Sequence, residues 1–430
     1  LPQYVIGYSS GENEILSLPF FKMRFIHYDH YEDNLRNEVG YSEPEGRLAY
    51  MDTQHSQAVF LTNYLMQDPT ILEPIHKTIG VKAIRQFRII IKESPPIPKY
   101  RLDEGATIED QSLSSEYNSF FELTENLKRK DANSKDLKII DKLINCATAK
   151  FYSVEDKTLY LDYYVDEDKK NSDGTIIELG EMKKAFQGNF DSALDLFRAF
   201  QILLTLNLYG VDRKLKKEVY SSGSLYVNET VPVLPSDKRI MRFKHFEIEK
   251  EKVGKSLLSK SLSDGEHQFL HAMGVCLLFK NTNSLFLLDE PETHFNPDWR
   301  AKFISILKDC LKTDGSDNTF LRELLITSHS PFIISDSHEE NVLIFRKNDD
   351  TGVVTVERPD FNTFGASVNK ITMKVFEKYE TIGNYAKEAL NEFYKRLEKG
   401  EDKERLIDEI NEKLGDSVER VVFINKAIEK

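Results

Sequence analysis

Residues 285–294 read Leu285-Phe-Leu-Leu-Asp289-Glu290-Pro291-Glu292-Thr293-His294, an apolar run that stops abruptly at two adjacent carboxylates. A short, continuously apolar run bounded by polar and turn-forming residues reads as a strand buried on both faces, the kind found at the centre of a parallel sheet. Parallel strands need crossover connections, usually helical, so the run points to an α/β fold. Ligands gather beyond the carboxyl ends of such strands, which is where Asp289 and Glu290 stand. A second apolar run, Leu324-Leu-Ile-Thr, delivers Ser328, His329 and Ser330 in the same way and is followed by Pro331.

Composition narrows the setting. The chain has 430 residues, 40% of them hydrophobic, enough for one large core or two to three smaller ones. No apolar run approaches the roughly 20 residues of a membrane helix, and no signal-like N-terminus is present, so no membrane partner is expected. Cys146, Cys276 and Cys310 are too dispersed for a disulfide framework or a zinc site, which fits a reducing cytoplasm. The formal net charge of -13 repels nucleic acid on average, so contact with DNA or RNA requires a local basic face. Lys128-Arg-Lys130 and Arg213-Lys-Leu-Lys-Lys217 are candidates, although a solvated helix face is the simpler reading of both. The first residue is Leu1 rather than Met, within a strand-like segment at Tyr4-Val-Ile-Gly7, and the true N-terminus is expected upstream.

Four regions follow from patterning. Residues 1–104 mix short apolar runs with turns, and Ala83-Ile-Arg-Gln-Phe-Arg-Ile-Ile-Ile91 reads as a partly buried strand. Residues 105–220 read as a mainly helical insertion, with helix spacing around Tyr117 and from Lys138, a hairpin from Ala149 to Val165, and helix again over 179–209. Residues 221–345 return to the core, and residues 346–430 begin with a strand pair around Asp350-Thr-Gly352 before amphipathic helices.

At the strand end, Asp289 would hold Mg²⁺ through its waters and Glu290 would polarise a water that attacks a γ-phosphate. A strand that merely stops at solvent explains a bare hydrophobic-Asp-Glu match equally well, so neighbouring segments decide. About twenty residues upstream stands Lys260-Ser-Leu262-Ser263-Asp264-Gly265-Glu266-His267-Gln268, followed by an apolar-rich stretch. Ser263 and Glu266 have capping-box spacing, so a well-made helix start accounts for both. Gly265 is left over, and a residue without a side chain lets backbone N–H groups and the positive helix end approach a phosphate.

Leu262-Ser-Asp-Gly-Glu266 resembles the signature motif of ABC-type ATPases, Leu285 to Glu290 resembles their Walker B strand, and Thr327-Ser-His329 resembles their switch histidine. The resemblance implies an ABC-type P-loop NTPase head: a mixed sheet flanked by helices, here with a helical insertion and a C-terminal helical extension. It implies ATP and Mg²⁺ as cofactors, Asp289 as the magnesium-associated acid, Glu290 as the catalytic base and His329 as a γ-phosphate contact. Ser263, Asp264, Gly265 and Glu266 would serve the nucleotide held by a second subunit, giving a head-to-head homodimer with two shared sites. Asn296 stands where the family carries its D-loop aspartate, a departure at the position that signals across the dimer. His294, in Glu-Thr-His-Phe-Asn-Pro, is expected to be structural or gating rather than metal-binding.

The phosphate loop Gly-x-x-x-x-Gly-Lys-Ser/Thr does not occur in the 430 residues. Gly254-Lys255-Ser256 carries only its last three residues, and no strand is expected to lead into it. The family places the loop before a strand such as Tyr4 to Gly7, so an upstream segment is expected to contain it. Residues 2–13, the Glu-Thr-His-Phe-Asn-Pro stretch and Thr363-Phe-Gly-Ala-Ser-Val-Asn369 resemble the PtuA-type ATPases of Septu and retron-associated anti-phage defence. That resemblance implies an HNH nuclease partner of the PtuB type and, with retrons, a reverse transcriptase carrying an RNA-DNA hybrid. No TOPRIM-like acidic arrangement follows Phe345, so no intrinsic nuclease is expected. Two other readings stand beside it: a RecF- or SMC-like repair or chromosome-maintenance ATPase acting on DNA, and a non-hydrolysing nucleotide sensor in a toxin complex. Short inserted helices without a heptad run weigh against an SMC arm.

Overall fold

Thirteen strands are found among the described residues of the computed structural model, which are 1–10, 14–36, 48–93, 139–172, 176–211, 213–222, 234–251, 253–312, 320–378 and 382–429. In chain order they are β1 (Tyr4–Ser9), β2 (Leu48–Tyr50), β3 (Val81–Lys92), β4 (Ala149–Ser153), β5 (Thr158–Tyr164), β6 (Lys169–Lys170), β7 (Ile176–Glu178), β8 (Met241–Lys250), β9 (Leu257–Leu258), β10 (Ser284–Asp289), β11 (Arg322–Thr327), β12 (Ile344–Lys347) and β13 (Val354–Glu357).

The apolar run ending in Asp289 is an inner strand of a parallel sheet ordered β11-β10-β1-β2. One face is sealed: Ile6, Tyr8, Phe286 and Leu288 are each at most 2% exposed. The other differs from the expectation of burial on both faces, because Leu285 and Leu287 are half-buried and Leu325 of the edge strand β11 is exposed among the described residues. This is the α/β architecture of a P-loop NTPase head, with helices packed on a parallel sheet.

The sealed face lies near the helix Asp264–Leu278, whose buried length packs on the helix Ser56–Met66. Gly274 permits the approach, since a Cβ there would lie 2.7 Å from Val59 Cγ1. Asn63 closes the seam by donating to the carbonyls of Val59 and Gly274, each at 2.9 Å, so its buried amide is satisfied.

A second, antiparallel sheet has the order β4-β5-β3-β8-β9. The strand expected at Ala83–Ile91 becomes β3, flanked by β5 and β8. The hairpin expected around Asp156-Lys157 is β4–β5, with Lys157 at φ 48 in the turn. Phe87 stacks on Tyr163 at 4.5 Å, and Phe186 from the helix Glu181–Asn189 completes that aromatic core. The helix expected around Tyr117 lies outside the described residues, whereas the one expected from Lys138 is described over Ile139–Cys146. Gly254-Lys255-Ser256 sits between β8 and β9, so a strand does lead into it, contrary to the sequence expectation. The chain reverses there into an antiparallel pair and Ser256 Oγ donates to Glu247 Oε2 at 3.0 Å, so no phosphate-loop helix begins.

The chain divides into two units, residues 1–329 and 330–430. The second pairs β12 with β13 over a small core of Ile334, Val342, Ile344, Ile371 and Val375. Its helices Asn384–Glu398, Lys403–Lys413 and Val418–Glu429 share a separate core that includes Leu390, Phe393, Leu406, Ile410 and Phe423. No helix of the described residues is long and apolar enough to cross a membrane.

His271 lies on the sealed face, 5% exposed and edge-on to the Tyr8 ring at 5.1 Å. Its Nε2 has no hydrogen-bond partner among the described residues, and burial lowers its pKa from 6.5 to about 3. The unfolded chain therefore binds a proton near pH 6.5 that the folded chain refuses, so this contribution to stability is complete above pH 6.5 and is lost as pH falls toward 3. His271→Leu is expected to flatten the acid-side decline by about 1 kcal/mol per pH unit, measured by urea unfolding of both proteins at pH 7 and pH 5. An unchanged slope would exclude His271 as its source.

Candidate functional site

Strand register builds the centre of the site. Ser9, Asp289 and Thr327 end β1, β10 and β11 and are direct partners across the sheet. Parallel neighbours in register send their side chains to the same face, so a hydroxyl stands on each side of the carboxylate. Ser9 Oγ donates to Asp289 Oδ2 at 3.1 Å and Thr327 Oγ1 donates to Asp289 Oδ1 at 2.6 Å. The amide of Ser10 donates to the Asp289 carbonyl at 3.2 Å, and that of Glu290 donates to the Thr327 carbonyl at 3.1 Å and its hydroxyl at 3.2 Å.

The chain then turns sharply. Glu290 has φ 44, a left-handed conformation that strains a residue with a side chain and recurs at functional sites. Thr293 Oγ1 holds the turn by donating to the Glu290 carbonyl at 2.9 Å and to its Oε2 at 3.1 Å. The other carboxylate oxygen lies 3.3 Å from His329 Nε2, with the two side chains 40% and 82% exposed. Carboxylate and imidazole thus meet at an accessible strand end, where the pair can orient a water or share a proton.

Glu292, two residues on, has the opposite surroundings. It is 3% exposed, and burial pushes its carboxyl above the usual range despite a hydrogen bond from Ser328 Oγ. Arg300 donates to the carbonyls of Glu292 at 3.3 Å and Thr293 at 2.9 Å. Asn296 caps the helix Pro297–Cys310, its Oδ1 accepting from the Trp299 amide at 2.9 Å. That cap is a local reason for asparagine there.

Ser263 begins the helix Asp264–Leu278 with a complete capping box: its Oγ accepts from the Glu266 amide at 3.3 Å, and Glu266 Oε2 accepts from the Ser263 amide at 2.9 Å. Lys250 pairs with the remaining Glu266 oxygen. Gly265 has a steric explanation, for a Cβ there would stand 2.5 Å from the His294 carbonyl oxygen and 3.7 Å from the Trp299 ring. Phe269, Phe295 and Trp299 fill the same contact with centroids 5.3 to 6.2 Å apart. His294 therefore contributes its backbone to this junction.

Asp289, Glu290 and His329 come together. Ser263, Asp264 and Glu266 stand apart, with no hydrogen bond to those three among the described residues, and are tied to the site through Gln268. Gln268 Nε2 donates to the Ser10 carbonyl at 2.7 Å, and Tyr8 Oη donates to the Gln268 carbonyl at 3.4 Å. Sequence reasoning missed Ser9, Gln268, Glu292 and the hydroxyl of Thr327. Only Ser9 and Thr327, small polar residues ending apolar strands, carried a hint.

No group of three or more His, Cys, Asp or Glu side chains that could hold a metal occurs among the described residues. One carboxylate flanked by two hydroxyls instead suits Mg²⁺, which keeps several waters and completes its shell with substrate phosphates. Asp289 is the residue that fits it.

The model of the family described as AAA domain, putative AbiEii toxin, Type IV TA system, matches residues 108–335. Septu protein PtuA of Bacillus thuringiensis is 25% identical over 145 residues, 33% of this chain and 34% of that protein. Protein ea59 of Escherichia phage lambda is 29% identical over 103 residues, 24% of this chain and 18% of that protein. The matched segments thus span about a third and less than a fifth of these relatives.

The crowding at Gly265 yields a direct test. Gly265→Ala forces a methyl group against a backbone carbonyl and is expected to destabilise by about 2 kcal/mol, in the range of overpacking. Trp299 is the single tryptophan, so its emission should shift in the folded variant, while thermal unfolding reports the stability loss. An unchanged melting temperature and emission would show that the contact is not this close.

Proposed function

The chain belongs to this AAA family, whose model covers more than half of it, which makes it an AAA-type ATPase related to PtuA; from that premise we propose that it binds and hydrolyses ATP in a dimer that regulates a partner nuclease in anti-phage defence. The observation that carries the reading is the hydrogen-bonded row Ser9, Asp289 and Thr327 with Glu290 and His329 3.3 Å apart beside it.

Each residue then has a task. Asp289, fixed from both sides, would hold a magnesium ion through its waters. Magnesium, when bound with ATP, neutralises phosphate charge. Glu290 takes the proton of the attacking water, and His329 donates to the γ-phosphate. Ser263 and Gly265, at a helix N-terminus with Asp264 and the Glu266 capping box, serve the γ-phosphate of the nucleotide held by a second subunit. Asn296 ends the turn between the two subunits' sites. Residues 1–104 and 221–345 would form the ATPase core, with 105–220 inserted and 346–430 appended.

Similarity to Septu protein PtuA supports a role in defence; within that proposal the partner would be an HNH-class nuclease, joined by a reverse transcriptase and its RNA-DNA hybrid where a retron accompanies the system. The family description, which names a toxin, favours one other reading, a component of a toxin complex, in which the chain would sense nucleotide without turning it over.

In the natural full-length protein, Glu290→Gln is expected to lower ATP turnover at least about 100-fold, the scale of general-base catalysis. Equilibrium binding of radiolabelled ATP should persist, and light scattering should show dimer accumulating with ATP. Turnover at the unsubstituted rate would refute the assigned role. Absence of turnover in the unsubstituted protein would favour the toxin-complex reading.

A further inference from the structure

A cavity of about 790 Å³ opens beside β2 in the first unit. Tyr50, the last residue of β2, lines it, so it lies at the carboxyl end of a parallel strand, where ligands of such sheets bind. Six charged side chains line it: the cations Arg24, Arg239, Arg242 and Lys260, and the acids Asp52 and Asp264. Asp52 is already committed, to Arg24 and to His55 Nδ1 at 2.6 Å.

Arg239 and Arg242 are different. Both are half-buried, and neither has an acidic partner among the described residues. Arg239 Nε donates to the Leu234 carbonyl at 3.0 Å and Arg242 donates to the Ser236 carbonyl, leaving most of the five N–H donors of each guanidinium unassigned. A chain of net charge -13 has carboxylates to spare. Two partly desolvated guanidinium groups without one carry a cost that a bound anion would offset. Guanidinium forks match phosphate oxygens in geometry and charge. The volume is that of a small-molecule site, and Tyr50 and Phe243 add rings to the lining.

We propose that this cavity binds a phosphorylated small molecule of the mononucleotide class, with Arg239 and Arg242 holding its phosphate. Lys260 and Asp264 also line it, so the ligand would lie against the segment that starts the helix Asp264–Leu278. The site is separate from Asp289, Glu290 and His329, none of which lines it.

Titration calorimetry of the 430-residue chain with AMP, adenosine, inorganic phosphate and a ten-nucleotide single strand tests this. AMP is expected to bind saturably at one site, and adenosine and phosphate at least about tenfold more weakly, or about 1.4 kcal/mol. Arg239→Ala with Arg242→Ala should lose at least about tenfold for AMP, whereas Asp289→Asn should leave AMP binding unchanged. Thermal unfolding checks that the double variant folds; if it does not, Arg239→Lys with Arg242→Lys keeps the charge but not the fork and should bind AMP at intermediate affinity. The proposal is overturned by absence of saturable AMP binding, by equal binding of adenosine, by tighter binding of the oligonucleotide, by undiminished binding in the arginine variants, or by loss of binding in Asp289→Asn.

Discussion

The parallel register that sets Ser9, Asp289 and Thr327 side by side is what the rest of the site depends on. Side chains alternate along a strand, so a slip of one residue in either pairing would turn a hydroxyl to the opposite face. With both hydroxyls donating, the two oxygens of Asp289 are fixed in direction before any ligand arrives. The same pairing lets Thr327 catch the Glu290 amide, which anchors the strained turn and brings the carboxylate to His329. Preorganisation of this kind is worth most where charge is to be handled.

Packing links this centre to the start of the helix Asp264–Leu278. The turn after Glu290 touches that helix through the His294 carbonyl at Gly265 and through the Phe269, Phe295 and Trp299 rings. On the other side Gln268 grips the end of β1. A shift at the strand ends would thus be felt at Ser263 through contacts that have no slack, since close-packed interiors transmit strain. Glu292 belongs to the same device: its buried carboxyl ties the turn to Ser328, beside His329.

Charge is distributed as unevenly as packing. Several cations in the antiparallel sheet and its neighbours are matched by acids, as in Arg85 with Glu249, Arg88 with Asp162 and the buried Lys183 with Asp168. Arg239 and Arg242 differ from these pairs: they share one cavity and, among the described residues, neither has an acidic partner.

The sequence by itself determined the elements with strong local grammar. The apolar run into Asp289, the Ser263 and Glu266 capping box and the hairpin around Lys157 each depend on residues a few positions apart, and each formed where it was read. The position of Asp289, Glu290 and His329 at or just beyond the ends of two strands was readable for the same reason. Tertiary structure alone decided what crosses long separations. Ser9 reaches Asp289 across 280 residues, and Gln268 reaches Ser10 across 258. Gly265, which the sequence linked to phosphate approach, has its absent side chain explained by a backbone carbonyl 29 positions away. The exposed face of β11, the burial of Glu292 and the gathering of Arg239 and Arg242 at one cavity were hidden for one reason. Solvent exposure and partner choice are set by which surfaces meet in three dimensions, and no local pattern records that.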